Sequence, residues 1–303
     1  DLGNPAITSP FEPGSVQKII TAAAAIEAGL THPDEVHSVD GSIRMEGVTV
    51  SDAWQHGPTP YTTTGIFGKS SNVGTLMLAQ RVGKEPFSQY LEKFGLGQRT
   101  GIELAGESEG LVPDLQNWQG GTFANLPIGQ GLSMTTLQMA GIYQTIANDG
   151  VRVPPRIVAE RVGPDGESHP TEHPEGERVV STETARTVRD MFRAVVQSGP
   201  GAQAGTGPQA AVAGYQISGK TGTAQQIDPG CSCYSNSRYW ITFAGILPAD
   251  DPRYVIAVML DAPSRGVLGA SAAPLFHDIA SWLVNRDNIP PSAPAPELVL
   301  QAR

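Results

Sequence analysis

Ser15 and Lys18 stand three residues apart at the head of an alanine-rich run, Ile19-Ile20-Thr21-Ala22-Ala23-Ala24-Ala25. Pro13-Gly14 reads as a turn, and the run behind it has high helix propensity. A three-residue step along a helix stacks two side chains on one face, with Cβ atoms about 5–6 Å apart. A hydroxyl beside an amine at the positive end of a helix is the outline of an activated nucleophile. Alone, Ser-x-x-Lys more often means a capping serine and a solvated lysine. The rest of the chain has to decide.

Two further clusters bear on it. Ser70-Ser71-Asn72 precedes a helical pattern carried by Val73, Leu76, Met77, Leu78 and Val82 and stopped by Gly83. Ser70 and Asn72 therefore sit at a helix start or on the loop entering it, where capping is their ordinary use. Lys220-Thr221-Gly222 lies on a strand pattern, with Gly219 and Gly222 removing side-chain bulk from its edge. An edge strand of that kind can pair with an extended peptide while Lys220 and Thr221 hold its terminal carboxylate. Each cluster has a bland reading. Together, in this order and on these elements, they form the Ser-x-x-Lys, Ser-x-Asn, Lys-Thr-Gly signature of acyl-serine enzymes.

Composition narrows the classes. With 303 residues and 39% hydrophobic content the chain can bury a large core. Thirty-five Gly and 25 Pro imply many turns and long connections, and 30 acids against 20 bases leave a net charge of −10. That balance argues against nucleic acid as a partner. No apolar run approaches the roughly 18 residues that span a bilayer, and no basic signal-peptide head precedes Asp1-Leu2-Gly3. The chain reads as a soluble piece of a longer product. Cys231 and Cys233, one residue apart, are two loop thiols or one small-ring disulfide. Neither they nor His169 and His173, each followed by proline, make a metal site, and no metal or cofactor is called for.

The elements that must position these residues follow in order. A helix runs from Ser15 to about Ala28, small hairpins fill 32–60, and helices follow at 72–82 and around Phe87–Phe94. Residues 95–133 form a long Gly-rich connection, then a helix spans Thr135–Ala147 with Leu137, Ala140, Gly141, Ile146 and Ala147 as its buried face. Residues 163–178 make an exposed excursion, and Thr182–Val196 forms a helix capped by Ser181. Residues 199–214 read as a flexible small-residue linker. Strands at 215–224, 239–247 and 254–260 form an antiparallel meander, and a last helix over about 273–284 offers Leu275, Phe276, Ile279 and Leu283 to it. The fold class is α+β: an antiparallel sheet flanked by the first and last helices, plus a mainly helical lobe. Residues 1–288 form one domain, and 289–303 a Pro-rich tail.

The chain resembles the transpeptidase domain of class B penicillin-binding proteins over about residues 10–285. The likeness extends to Glu12-Pro13-Gly14-Ser15, Ser70-Ser71-Asn72-Val73-Gly74, Phe94-Gly95-Leu96-Gly97, Gly129-Gln130-Gly131, Ala147-Asn148-Asp149-Gly150 and Gly219-Lys220-Thr221-Gly222-Thr223-Ala224. Within the class, Gln225-Gln226 and the tract Tyr239 to Gly245 look most like actinobacterial septal transpeptidases of the FtsI or PbpB type. The resemblance implies the penicillin-binding, serine β-lactamase-like fold and a peptidoglycan D,D-transpeptidase acting in septal wall synthesis. It implies Ser15 as nucleophile, Lys18 as neutral base, Ser70 as proton relay and Asn72 as a hydrogen-bonding partner of the donor peptide. Lys220, Thr221, Gly222 and Thr223 would form the substrate strand, with the Ser15 and Thr223 N–H groups as oxyanion hole.

Partners implied are peptidoglycan stem peptides (a D-Ala-D-Ala donor and an amine acceptor), β-lactam antibiotics and membrane proteins of the division complex. The implied location is the extracytoplasmic side of the membrane, anchored by an N-terminal transmembrane helix that this chain lacks. In this family, strands of the central sheet also precede the nucleophile helix, and those too are missing. Two alternatives are a serine β-lactamase and a β-lactam-binding sensor. Against the first, none of Glu103, Glu107 and Glu109 begins the Glu-x-x-Leu-Asn that a class A hydrolase needs.

Overall fold

Asn4 caps a single helical turn, α1 (Pro5–Thr8), in the computed structural model, which describes residues 3–228, 230, 231, 233–263 and 272–302. Pro13 then leads into a 3-10 turn, Gly14–Gln17, that runs without a break into α2 (Lys18–Glu27). Ser15 thus sits in the leading turn, one step ahead of the α-helix proper. Every residue from Lys18 to Ala25 is buried, which small alanines allow because neighbours can close on all sides.

Around α2 the helical lobe is assembled. The strands β1 (Val36–Val39) and β4 (Thr59–Thr62) pair antiparallel, as do β2 (Ser42–Met45) and β3 (Val48–Ser51) between them. The helices α3 (Thr63–Gly68), α4 (Asn72–Val82) and α5 (Lys84–Lys93) follow. Ser71 caps α4, its Oγ accepting the Gly74 N–H at 2.9 Å, while Ser70 precedes the cap in the left-handed region at φ 61°. The long connection contains α6 (Thr122–Asn125) and returns to pair Met134 with Phe11.

In α7 (Thr136–Ala147) the structure corrects the expected face. The buried residues are Gln138, Met139, Ile142, Tyr143, Thr145 and Ile146, so of the predicted set only Ile146 is buried. Gln138 tolerates burial because its polar atoms are all matched. Its Oε1 accepts the Thr135 N–H at 2.7 Å, and its Nε2 donates to the Gln98 and Glu109 carbonyls at 2.9 Å each. Tyr143 likewise donates its hydroxyl to the Val16 carbonyl at 2.9 Å, tying α7 to the Ser15 turn.

The excursion after α7 consists of β5 (Val151–Arg152) paired with β8 (Glu177–Arg178) and β6 (Glu160–Val162) paired with β7 (Ser168–Pro170). The Ser181 side chain caps α8 (Thr182–Met191) as its sequence predicts.

The main sheet is the antiparallel trio β9 (Ser218–Asp228), β10 (Cys233–Leu247) and β11 (Tyr254–Asp261), ordered β11-β10-β9, which leaves β9 at an edge. The Cys231–Cys233 disulfide closes the turn between β9 and β10. Alternation along β10 serves two cores. Ala244 and Ile246 join the α2–α7 core, while Ile241, Phe243 and Leu247 join a second core with Phe276, Ala280 and Val284. Those last three belong to α9 (Ala273–Arg286), whose Phe276 ring lies 4.7 Å from that of Phe243.

Here too the predicted face needs correction. Leu275 and Ile279 are 40% and 36% exposed, alongside Trp282 at 59%. The helix is apolar on two sides, and the sheet takes the side whose small Ala280 permits close approach. The last residues run back over the lobe, where Leu300 is buried and its carbonyl accepts the Thr62 N–H at 3.0 Å. No helix among the described residues is long and apolar enough to cross a membrane. In urea denaturation, Phe276→Ala is expected to lower stability by about 3–5 kcal/mol. Trp282→Ser should stay within about 0.5 kcal/mol. Comparable losses for the two would contradict the observed face of α9.

Candidate active site

Ser15, Ser70, Asn72, Thr221, Gly222 and Thr223 all line one cleft of about 420 Å³. They come from three segments separated by more than fifty residues each, so only the fold brings them together. The Ser15 turn is clamped from both sides by backbone. Gly14 adopts φ +60° and donates its N–H to the Gly129 carbonyl at 3.0 Å, and a Cβ at Gly14 would come within 2.7 Å of the Thr223 carbonyl oxygen. A Cβ on Gly129 would overlap the Gly14 carbonyl. These two glycines let the nucleophile turn lie directly between β9 and the 126–131 loop.

Lys18 is fully buried beneath this turn. Its Nζ donates to the Asn72 Oδ1 at 2.6 Å, to the Ser70 carbonyl at 2.7 Å and, at 3.4 Å, to the Ser70 Oγ. The left-handed turn at residue 70 accompanies a carbonyl placed on the amine. Burial pulls the Lys18 pKa from the usual lysine value down to about 7, and the Asp52 carboxylate opposes part of that shift. The amine is therefore available as a neutral base near neutral pH.

Lys220 is equally buried, and its Nζ donates to the Thr221 carbonyl at 3.0 Å and to the Thr221 Oγ1 at 3.4 Å. It is not among the residues lining the cleft. Burial, then the Lys18 charge, push its pKa well below the usual lysine value.

Sequence reasoning assigned no role to several groups found here. Lys69 lines the cleft, with its Nζ donating to the Ala204 carbonyl at 3.0 Å. Thr206, from the segment read as a flexible linker, places its Oγ1 2.8 Å from the Thr221 Oγ1. Gln130 and Trp54 complete the lining. Of these, Gln130 carried a signal within Gly129-Gln130-Gly131, and Lys69 one as the basic residue adjoining Ser70. From the hairpin tip, Tyr234 donates its hydroxyl to the Glu12 carboxylate at 3.1 Å, so the disulfide-bearing turn also touches the nucleophile segment.

A serine, a buried low-pKa amine and a Ser-x-Asn pair gathered at one cleft with an edge strand make an acyl-transfer arrangement. The profile of the penicillin binding protein transpeptidase domain matches residues 1–281. The chain belongs to that family. It is 69% identical to the penicillin-binding protein PbpB of Mycolicibacterium smegmatis over 306 residues, covering 99% of this chain and 47% of that protein. It is 34% identical to the peptidoglycan D,D-transpeptidase FtsI of Escherichia coli, covering 96% of this chain and 47% of the relative. The chain thus spans about half the length of these curated relatives. The crystal structure of penicillin binding protein 3 from Mycobacterium tuberculosis complexed with ampicillin superposes with a TM-score of 0.97 at 66% identity. That match covers 100% of this chain and 68% of the other. The family and fold that the motifs implied are thereby borne out.

The buried amine also sets a stability signature. An unfolded lysine titrates near 10.4, so between about pH 7 and that value the unfolded state binds the extra proton. Below pH 7 both states are charged and the full burial cost is felt; as pH rises the cost fades. Replacing Lys18 by Met should therefore raise the melting temperature, relative to the parent, more at pH 6 than at pH 9.5. A difference independent of pH would mean that Lys18 keeps an ordinary pKa.

Proposed function

We propose that this domain is a peptidoglycan D,D-transpeptidase working through a serine acyl-enzyme. The observation that carries the proposal is the buried Lys18 amine, three residues along the helix start from Ser15, hydrogen-bonded to both Ser70 and Asn72. Neutral Lys18 takes the Ser15 proton as Oγ attacks the carbonyl between the two terminal D-alanines of a stem peptide. The oxyanion rests on the Ser15 and Thr223 N–H groups. Ser70 passes the proton to the departing D-alanine amine, leaving the acyl-enzyme. The amine of a second stem peptide then attacks, a new amide forms and Ser15 recovers its proton.

Asn72 hydrogen-bonds the donor peptide, which lies along β9 as an added strand. Thr221 and Thr223 hold its terminal carboxylate, with the Lys220 amine hydrogen-bonded to Thr221 and Lys69 also on the cleft. A β-lactam enters as a donor whose leaving amine stays tethered, so its adduct persists. The ampicillin complex of the related penicillin binding protein 3 supports this part.

Against the hydrolase alternative, no carboxylate is found among the described residues that line the cleft: Glu103, Glu107 and Glu109 lie outside it, and Glu107 is engaged by the Thr100 and Gly101 N–H groups. The names of the relatives support a place in septal wall synthesis. Its substrate puts the domain on the extracytoplasmic side of the membrane, anchored by an N-terminal helix outside this chain and working beside division proteins.

Intact-protein mass after incubation with ampicillin tests the reading. A whole-drug adduct persisting for hours, lost in Ser15→Ala, is the expected result, with an acylation rate that rises with pH through about 7. Rapid return to the free mass would mean a β-lactamase, and a folded chain that takes no drug would overturn the assignment.

A further inference from the structure

Asp52 does not line the cleft, yet the Ser-x-Asn motif is built on it. Its side chain, just beyond β3, is fully buried. Oδ1 accepts the backbone N–H groups of Asn72 at 2.5 Å and Val73 at 3.0 Å. Oδ2 accepts the Ser71 hydroxyl at 2.7 Å and lies 3.0 Å from His56 Nε2. Amides at a helix start have no partner within the helix and favour a negative charge. Ser71 relays the hold, donating to Asp52 while it accepts the Gly74 N–H.

Either side of Ser71 are the two groups on the Lys18 amine. Ser70 is turned into the left-handed region with its N–H on the Phe67 carbonyl at 3.1 Å and its own carbonyl on Lys18. Asn72 accepts Lys18 at Oδ1 and donates to the Ser51 carbonyl, the residue before Asp52, at 3.0 Å. On the other side, His56 carries Trp54 stacked at 5.3 Å, and Trp54 does line the cleft.

We propose that Asp52 is a positioning residue for acyl transfer: through Ser71 and the first amides of α4 it holds Ser70 and Asn72 on the Lys18 amine. This rests on the transpeptidase reading given above. A second consequence follows from its charge. Lys18 is faced by Asp52 from the loop after β3 and by Lys220 from β9, with Ser70 and Asn72 as neutral contacts. Asp52 is faced by His56 and influences Tyr61 on β4. It is therefore the charged group that favours the ammonium form of Lys18 against burial. Removing its charge should make Lys18 lose its proton at lower pH.

The test is the second-order rate constant for acylation of Ser15 by ampicillin between pH 5 and 9, with melting temperatures, for the parent chain, Asp52→Asn and Ser71→Ala. Asparagine retains a capping oxygen and removes the charge. The Asp52→Asn plateau is expected to fall about tenfold or more, the size of losing about 1.4 kcal/mol of transition-state stabilisation. Its acid limb should move to lower pH. Ser71→Ala should lower the plateau several-fold with the limb in place.

A parental plateau and limb in Asp52→Asn would overturn the inference, as would a lowered plateau with an unmoved limb and a fallen melting temperature, which is a merely structural cap. If Asp52→Asn does not fold, an unchanged plateau in Ser71→Ala overturns it, and a several-fold loss in folded protein supports the hold. Failure of the folded parent chain to be acylated at all sinks the transpeptidase reading and this inference with it.

Discussion

Placing one lysine amine out of water is the constraint on which the rest depends. An isolated buried ammonium is costly, so it survives only with acceptors around it or by giving up its proton. Lys18 has both routes: the Ser70 carbonyl, the Ser70 hydroxyl and the Asn72 amide oxygen accept from it, and its pKa falls to about 7. Much of the lobe serves that arrangement. An alanine-rich helix lets neighbours close around the amine, and a left-handed serine and the cap at Ser71 bring the acceptors in.

A second constraint is close backbone approach. Acyl transfer asks for N–H groups near a nucleophile, and side chains between the segments would hold them apart. Gly14 and Gly129 remove that obstacle, and the Tyr143 hydroxyl fixes the following turn through the Val16 carbonyl. The edge position of β9 then leaves one side of the strand unpaired within the sheet. Electrostatics and packing meet here, because burial and the charge on Lys18 together discourage Lys220 from holding a proton.

Apolar patterning was a good guide to where helices lie and a poor guide to which side they bury. In α7 the pattern pointed to Leu137 and Ala140, whereas the core holds Gln138 and Tyr143, both with satisfied polar atoms. In α9 it pointed to Leu275, Phe276, Ile279 and Leu283; Phe276 is buried and Leu283 packs partly against the core, but Leu275 and Ile279 face outward while Ala280 and Val284 are buried. The small-residue stretch 199–214 looked like a linker; its Thr206 nonetheless meets Thr221 at the cleft. In each case the deciding contact lies far away in the chain.

Local chemistry was settled by sequence alone: the order and spacing of Ser15-x-x-Lys18, Ser70-x-Asn72 and Lys220-Thr221-Gly222, the Ser181 cap, and the three strands that end in one edge. Such features depend on neighbours a few residues apart, where propensity, capping and alternation act. Tertiary structure alone decided that Lys220 is buried off the cleft lining while Lys69 lines it, and that Asp52 holds the start of α4. Those outcomes depend on which polar groups find partners once water is excluded, and residues from 20 to 135 positions apart supply the partners.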